Sequence, residues 1–208
     1  MTTAASTQLT LPVTGRDHIQ GSGSAVVTLV EYGDYACPRC KEARSVVKRL
    51  QTALGDRLRY AFRHFPIPSL HPNTHRASEA AEAAGAQNKF WEMHELLYDR
   101  QGTLSDKHLK GYGTQVRLDM ERFNRDMTLQ TFALHVREDV LSANQSGVST
   151  TPSFFINDSR YLGDCDFETL LSQIEEIIGN QSSGNRALQT TPADQAMADS
   201  STSPANRQ

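Results

Sequence analysis

The segment of residues 25–54 places two cysteines between a strand and a helix, and this order constrains the fold more than any other feature. Residues 25–30 (Ala-Val-Val-Thr-Leu-Val) form a short, mostly β-branched apolar run that is typical of a buried parallel strand. Residues 37–40 (Cys-Pro-Arg-Cys) follow after a turn, and apolar residues then recur at helical spacing until Gly55 provides a stop signal. Because Pro38 suits the first helical turn, where a missing N–H costs nothing, we predict a dithiol that opens a helix directly after a central strand.

A second strand is predicted where apolar and basic residues alternate. Leu58, Tyr60 and Phe62 occupy every second position, and Arg57, Arg59 and Arg63 lie between or beside them. In such a pattern one face of the strand packs on the core and the other faces solvent. We therefore expect these arginines to form a solvated strand face.

The remaining elements complete an α/β pattern. Residues 72–143 have helical spacing throughout and begin with an alanine-rich stretch. Residues 153–156 and 160–163 are predicted strands joined by a hairpin turn, and the apolar residues of 167–178 lie on one face of a last helix. The predicted fold class is α/β, with a mixed central sheet flanked by helices and an all-helical insertion.

Composition divides the chain into three segments. We expect a flexible N-terminal segment over residues 1–15, a folded domain over residues 16–179 with its helical insertion at about 70–145, and a disordered tail over residues 180–208. The tail has no Val, Ile, Phe, Tyr or Trp, so it cannot bury enough apolar area to offset the entropy of ordering. The first residues lack the basic start and apolar core of a secretory signal, which makes the cytoplasm the expected compartment.

Charge and cysteine content exclude several classes of protein. The 208 residues include 21 Lys and Arg against 24 Asp and Glu, a net charge of −3, which gives no electrostatic reason to expect a nucleic-acid or membrane-surface partner. No run of about 18 apolar residues is present, so no membrane span is expected. Three cysteines are too few for a disulfide scaffold and cannot all pair, which indicates a cysteine with a chemical role.

Two cysteines in the first turn of a helix suit thiol–disulfide exchange. The thiolate is the nucleophile in that reaction, and the positive end of a helix lowers a thiol pKa by roughly one unit. Arg39 lies between the cysteines and can lower it further. We expect Cys37 to be the exposed nucleophile and Cys40, one turn further in, to resolve the mixed disulfide.

A Cys-x-x-Cys pair is also half of a zinc site. Zinc would require two further ligands at suitable spacing. The candidates are Cys165, His64, His71 and His75, and they do not form a second matching knuckle. Cys165 itself lies between Asp164 and Asp166 and is expected to be an incidental thiol, with an auxiliary redox or dimer-forming role as the alternative.

Several segments, in the same order, resemble the DsbA-like oxidoreductases of the thioredoxin fold. Residues 31–40 (Glu-Tyr-Gly-Asp-Tyr-Ala-Cys-Pro-Arg-Cys) resemble the active-site segment of that family. The resemblance continues at His71-Pro72, at residues 90–94 (Phe-Trp-Glu-Met-His) and at residues 147–157, which contain Thr-Thr-Pro. It implies a thioredoxin fold with a helical insertion and covers residues 25–178.

The resemblance also implies roles for individual residues. Pro152 matches the cis-proline that faces the active-site disulfide, and Thr151 would offer backbone groups to an extended substrate. Pro38 and Arg39 would contact the same substrate. Glu31 matches a buried acid that accepts the proton of the resolving cysteine. The alternative for Glu31 is a strand-end residue paired with an arginine.

The expected activity is thiol–disulfide exchange with protein, peptide or small-thiol substrates. It needs no cofactor or metal beyond the Cys37–Cys40 dithiol, but it needs a redox-recycling partner, for which glutathione is one candidate. One alternative is a non-catalytic peptide-binding or chaperone module on the same fold. Another is a glutathione-dependent isomerase or transferase, although such relatives typically lack the second cysteine.

Overall fold

The computed structural model describes residues 7–188, which form a five-stranded sheet and seven α-helices. In chain order the elements are β1 (His18–Gly21), β2 (Val27–Gly33), α1 (Pro38–Leu54), β3 (Leu58–His64), α2 (Thr74–Gly85), α3 (Phe90–Asp99), α4 (Asp106–Gln115), α5 (Met120–Leu129), α6 (Ala133–Gln145), β4 (Ser153–Ile156), β5 (Ser159–Arg160) and α7 (Phe167–Leu188). Helices α2 to α6 are the predicted insertion. The predicted α/β architecture with a helical insertion is thus confirmed.

The sheet is mixed and has the strand order β1-β3-β2-β4-β5. Strands β2 and β3 are parallel and place Glu31 opposite Phe62, while β1, β4 and β5 join their neighbours in antiparallel pairs. Asn157 and Asp158 connect β4 to β5 and both have positive φ, which suits the predicted tight hairpin. The dithiol helix α1 therefore starts beyond the end of a central strand.

Both faces of the sheet are covered, and this changes the environment of one predicted surface residue. Arg63 on β3 is buried, with its Nε donating to Oδ1 of Asp17 at 2.6 Å and its Nη1 donating to the carbonyl of Leu11 at 2.8 Å. The prediction of a solvated face is wrong for Arg63, because the chain before β1 folds across this end of the strand. Arg59 is half-buried and donates to the Thr28 hydroxyl.

The two faces of the sheet belong to different apolar clusters. One cluster joins alternate residues of β2 and β3 to α1, α7 and the helices of the insertion. The other joins the opposite faces of these strands to the end of α6 and to the segment before β1. The dithiol and helices α2 to α5 therefore lie on the same side of the sheet, and the end of α6 packs on the other side.

Asp34 links the turn before α1 to the start of the insertion. It is fully buried, and its carboxylate accepts hydrogen bonds from the backbone N–H of Ala36 at 2.8 Å and of Ile67 at 3.1 Å. The hydroxyl of Thr74, at the start of α2, donates to the same carboxylate, and His71 Nδ1 lies 2.9 Å from it. One side chain thus connects the turn before α1 to the entry of the helical insertion.

The terminal segments differ from the expectations. Within the segment expected to be flexible, Leu9 is buried and Gln8 forms an isolated antiparallel bridge with Ser159 of β5. Helix α7 continues to Leu188, so the first part of the predicted disordered tail is helical, while residues 189–208 lie outside the described residues. Within residues 7–188, no helix is long and apolar enough to span a membrane.

Candidate active site

The N-terminus of α1 is organised around the backbone of Cys37. Cys37 is the N-cap residue, with φ −78° and ψ 119°, and Pro38 is the first helical residue. The Cys37 carbonyl accepts hydrogen bonds from the N–H groups of Cys40 at 3.1 Å and Lys41 at 3.3 Å. It also accepts one from Nε2 of Gln101 at 2.8 Å, so the loop after α3 contacts the dithiol directly.

Both cysteines of the pair are free thiols, and they differ in exposure. Cys37 is 7% exposed and Cys40 is 0% exposed. Cys37 is therefore more buried than the sequence predicts, because the segment at Thr151 packs against it. The order is as predicted, with Cys40 deeper than Cys37.

The pKa of Cys37 is lowered from 9.0 to about 5. The hydrogen bond from the Cys40 thiol contributes most to this change, and burial opposes it. Hydrogen bonds from the Thr151 side chain and from the N–H groups at the start of α1 lower the pKa further. Cys37 is thus a thiolate at neutral pH.

The pKa of Cys40 changes in the opposite direction. Burial raises it well above 9.0, and the hydrogen bond to Cys37 and the charge of Glu31 raise it further. The backbone N–H of Asp34 donates to the Cys40 sulfur at 3.5 Å, which opposes this rise only in part. The two thiols therefore hold their protons with very different affinities.

The loop before β4 faces the dithiol from the other side. The peptide bond between Thr151 and Pro152 is cis, and the sulfur of Cys37 lies 3.5 Å from the Thr151 carbonyl oxygen. The hydroxyl of Ser153 donates to the Thr150 carbonyl at 2.7 Å and holds the loop at the start of the strand. Cys37 and Thr151 thus form one continuous surface.

Glu31 lies beneath the dithiol, on the face of β2 that packs against α1. It is 1% exposed, and its Oε2 accepts a hydrogen bond from the Tyr60 hydroxyl at 2.7 Å. Burial raises its pKa from 4.5 to about 7, the Tyr60 hydrogen bond opposes this, and the Cys37 charge adds to it. Among the described residues no arginine pairs with Glu31. The carboxyl group is therefore poised to exchange a proton near neutral pH.

Three contacts at the site were not predicted from the sequence. They are the Gln101 bond to Cys37, the Tyr60 bond to Glu31, and the position of Tyr98, whose buried hydroxyl lies near Glu31. Only the Tyr60 contact could have been predicted from the sequence, because the alternation of side chains along β3 places residues 60 and 62 on the same face of the sheet as Glu31. The other two depend on how the insertion packs.

Two further residues lie at the edge of the site. Arg39 is exposed and forms no ion pair with another residue of the described range. Cys165 is partly buried, and burial raises its pKa to about 12, with the charge of Glu31 also raising it and the charge of Arg39 lowering it. Cys165 is thus a protonated thiol near the dithiol and is a poor nucleophile.

Metal ligands do not converge in the part of the chain that the structure describes. No three His, Cys, Asp or Glu side chains within residues 7–188 are arranged to hold a metal ion. The histidines considered as zinc ligands have other neighbours. His64 Nε2 lies 2.7 Å from Glu82, His71 Nδ1 lies 2.9 Å from Asp34, and His75 Nδ1 is close to an acid of its own helix.

The sequence is similar to those of known proteins over most of the described residues. A family model described as thioredoxin matches residues 13–176. The chain is 43% identical over 159 residues to a protein of Salinispora arenicola named Na⁺/H⁺ antiporter NhaA 1, which covers 76% of this chain and 24% of that protein. A protein of Herminiimonas arsenicoxydans named Na⁺/H⁺ antiporter NhaA is 38% identical over 159 residues, or 76% and 25% of the two chains. The chain spans about a quarter of the length of these curated relatives.

Solved structures show the same fold. Oxidised BdbD from Bacillus subtilis superposes with a TM-score of 0.74 at 23% identity, covering 85% of this chain and all of that chain, 100%. A thioredoxin-like oxidoreductase from Silicibacter pomeroyi superposes with a TM-score of 0.69 at 28% identity, covering 82% and 94% of the two chains. The DsbA-like form of the thioredoxin fold that the sequence predicts is thus confirmed.

Proposed function

Because this chain belongs to the thioredoxin family and has the fold of its DsbA-like members, we propose that it is a thiol–disulfide oxidoreductase whose reactive pair is Cys37 and Cys40. The observation that carries the proposal is the contrast between the two thiols. One is a thiolate at neutral pH and the other keeps its proton, although they lie in one helical turn. The proposal does not extend to the ion exchange named for the curated relatives, of which the chain spans about a quarter.

Reduction of a substrate would proceed in two displacement steps. The Cys37 thiolate attacks one sulfur of a substrate disulfide, the substrate S–S bond breaks, and its other sulfur leaves as a thiolate that takes a proton from solvent. Cys40 then loses its proton to Glu31 and attacks the Cys37 sulfur, which releases the second substrate thiolate. Two electrons have passed from the dithiol to the substrate, and Cys37 and Cys40 are joined. Oxidation of a substrate dithiol is the reverse sequence.

The surface around Cys37 supports a protein or peptide substrate in extended form. The backbone of Thr151 lies beside the reactive sulfur, and Pro152 continues the same loop, so a substrate strand could add along it. Pro38 and Arg39 are exposed at the opposite edge, where they would contact the same segment. No cofactor enters this scheme, since the dithiol itself carries the electrons.

The low pKa of Cys37 favours the oxidising direction. A stable thiolate stabilises the reduced protein relative to its disulfide, so electrons flow more readily from substrate to protein. The cycle then requires a partner that removes two electrons from the dithiol. Another protein disulfide or oxidised glutathione has the required chemistry.

Paired activity assays on the full chain test this proposal. Oxidation of a dithiol peptide and reduction of insulin are measured for the wild-type protein, for Cys37→Ser, and for Cys165→Ser as the matched control. We expect loss of both activities in Cys37→Ser and retention in Cys165→Ser, whose target is a protonated thiol outside the pair. Equal rates for wild type and Cys37→Ser would refute the proposal.

A trapping experiment identifies the role of the second cysteine. In Cys40→Ser the first displacement can occur but the resolving step cannot, so a covalent complex with substrate should accumulate. If no mixed disulfide forms while peptide binding persists, a non-catalytic binding module is the better description.

A further inference from the structure

The buried acid beneath the dithiol is surrounded by thiols and phenols. The titratable groups of the described chain that face Glu31 come from α1, β3, α3, the turn before α1 and the segment before α7; they are Cys37, Cys40, Tyr60, Tyr98, Tyr35 and Cys165. None of these groups carries a positive charge. In the reduced protein the proton affinity of this carboxyl group therefore depends on burial, on its hydrogen bond from Tyr60 and on the charge of Cys37, and in the oxidised protein the Cys37 charge is removed.

One carboxylate oxygen has a hydroxyl partner and the other does not. Oε2 of Glu31 accepts from the Tyr60 hydroxyl at 2.7 Å. Oε1 of Glu31 and the hydroxyl of Tyr98 are both buried and have no hydrogen-bond partner in the described chain. Leaving a buried polar atom unpaired destabilises the fold, so two such atoms close together call for an explanation.

These two unpaired oxygens lie close to the same point beside Gly33. A Cβ atom on Gly33 would lie 2.8 Å from the Tyr98 hydroxyl and 3.1 Å from Oε1 of Glu31. These distances place the two oxygens within about 6 Å of each other, a separation that one bridging water can span, although the Phe62 ring, 2.5 Å from the same point, leaves no room there for a side chain. One water molecule that accepts from Tyr98 and donates to Glu31 would satisfy both groups.

The helical insertion fixes the position of the Tyr98 ring. Tyr98 is near the end of α3 and is 1% exposed. Its ring centroid lies 5.0 Å from those of Tyr35 and His94. Burial raises the pKa of Tyr98 well above 10.0, with the charges of Cys40 and Glu31 adding to the rise, so its hydroxyl keeps the proton that it donates.

We infer that Tyr60 and Tyr98 are positioning residues that together hold the two oxygens of Glu31, Tyr60 directly and Tyr98 through one water molecule. Their role in exchange rests on the proposed function. In the resolving step the proton of Cys40 moves to the carboxylate of Glu31, and the electron pair left on the Cys40 sulfur forms the bond to Cys37 while the bond from Cys37 to the substrate breaks and the substrate sulfur leaves as a thiolate. Both phenols stay protonated throughout and stabilise the carboxylate that must receive the proton.

The direct test is the pKa of Glu31 in the two phenylalanine variants. The protein is labelled at its glutamate carboxyl carbons, oxidised so that neither Cys37 nor Cys40 titrates, and followed by NMR against pH. Glu31→Gln assigns the resonance. We expect Tyr60→Phe to raise the Glu31 pKa by about one unit, a factor of about ten in proton affinity, and Tyr98→Phe to raise it by about half a unit.

Tyr32→Phe is the matched control. Tyr32 is fully buried and its hydroxyl contacts Ser142 and Arg63, but it points to the face of β2 opposite Glu31. We expect it to lower stability without moving the Glu31 pKa. The inference is overturned for either tyrosine whose variant leaves the Glu31 pKa unchanged, or if Tyr32→Phe shifts it equally.

The rate of the resolving step tests whether the Glu31 pKa affects disulfide exchange. The release of substrate from a preformed mixed disulfide on Cys37 is followed against pH in the same variants. A rise of one unit from a pKa near 7 lowers the carboxylate fraction at pH 7 about fivefold, and we expect a similar slowing in Tyr60→Phe. A wild-type protein without exchange activity refutes the proposed function, while the carboxyl titration still decides the positions of the tyrosines.

Discussion

The sulfur of Cys37 lies 3.5 Å from the carbonyl oxygen of Thr151, a residue 114 positions further along the chain. The contact brings the start of α1 and the loop before β4 together. Any partner that reaches the reactive sulfur must therefore also meet the backbone beside Pro152. In the proposed reaction, the reactive sulfur and the backbone that would bind the substrate are therefore in direct contact.

The thiolate of Cys37 should be detectable by titration. We expect the ultraviolet absorbance of the thiolate to appear with a midpoint near pH 5, and Cys40→Ala to move this midpoint upward by at least about one unit, because the Cys40 hydrogen bond contributes most to the low pKa. The folded-state pKa of Cys37 is below the unfolded value of 9.0. Ionisation of Cys37 therefore stabilises the folded reduced protein fully above pH 9, and this stabilisation is lost as pH falls through 5. Alkylation rates against pH provide the independent check, and a midpoint near 9 would contradict the prediction.

Replacement of Glu31 by Gln should stabilise the protein at neutral and basic pH. The pKa of Glu31 is raised from 4.5 to about 7, so its ionisation destabilises the fold progressively between these values and by a constant amount above them. We expect the free energy of unfolding of Glu31→Gln to exceed that of the wild type by up to about 3 kcal/mol above pH 7, and to equal it below pH 4.5. Urea denaturation of the oxidised protein across this range measures the difference. A gain that is independent of pH would point to packing and not to ionisation.

Gly33→Ala should destabilise the protein by about 1–3 kcal/mol, through overpacking at the end of β2. The new Cβ would lie 2.5 Å from the Phe62 ring and 2.8 Å from the Tyr98 hydroxyl, distances that require the rings to shift. Gly111→Ala is the control, because Gly111 is exposed within α4 and a Cβ there meets nothing within 4 Å. That change should stabilise the helix by about 0.5–1 kcal/mol, and the thermal midpoints of the two variants should move in opposite directions.

Asp17→Ala should lower the free energy of unfolding by about 3–5 kcal/mol, because it leaves Arg63 charged and buried without its partner. The two side chains are 1% and 0% exposed and meet at 2.6 Å. The exposed pair of Arg49 and Glu168, at 3.2 Å, is the comparison, and Glu168→Ala should cost less than about 1 kcal/mol. Chemical denaturation of both variants at one pH gives the contrast, and equal losses would contradict it.

The elements that the sequence predicts correctly are those with strong local signals. The strand before the dithiol, the Pro38 start of α1 and the Gly55 stop all follow from short-range patterns, and the structure has α1 at Pro38–Leu54 with Gly55 at φ 53°. The hairpin at residues 157–158 is of the same kind. Short-range sequence patterns are therefore sufficient to predict these elements of the fold.

The features that were not predicted depend on distant contacts. β1 is four residues long and partly polar, and only its pairing with β3 makes it a strand. Arg63 has the spacing of a surface residue, yet it is buried because the segment containing Asp17 crosses it. Tyr98 lies near Glu31 only because α3 packs on the sheet. Such contacts join segments tens of residues apart, and hydrophobic periodicity carries no information about them.

The position of Asp34 determines how this protein could be shortened or recombined. Its carboxylate binds the turn before the dithiol and also Thr74 and His71 at the entry to the helices. Excising the helices to obtain a minimal redox domain would remove these partners and leave a buried acid beside Cys37 with fewer donors. An exchange of modules between relatives should therefore move the turn and the helices as one unit.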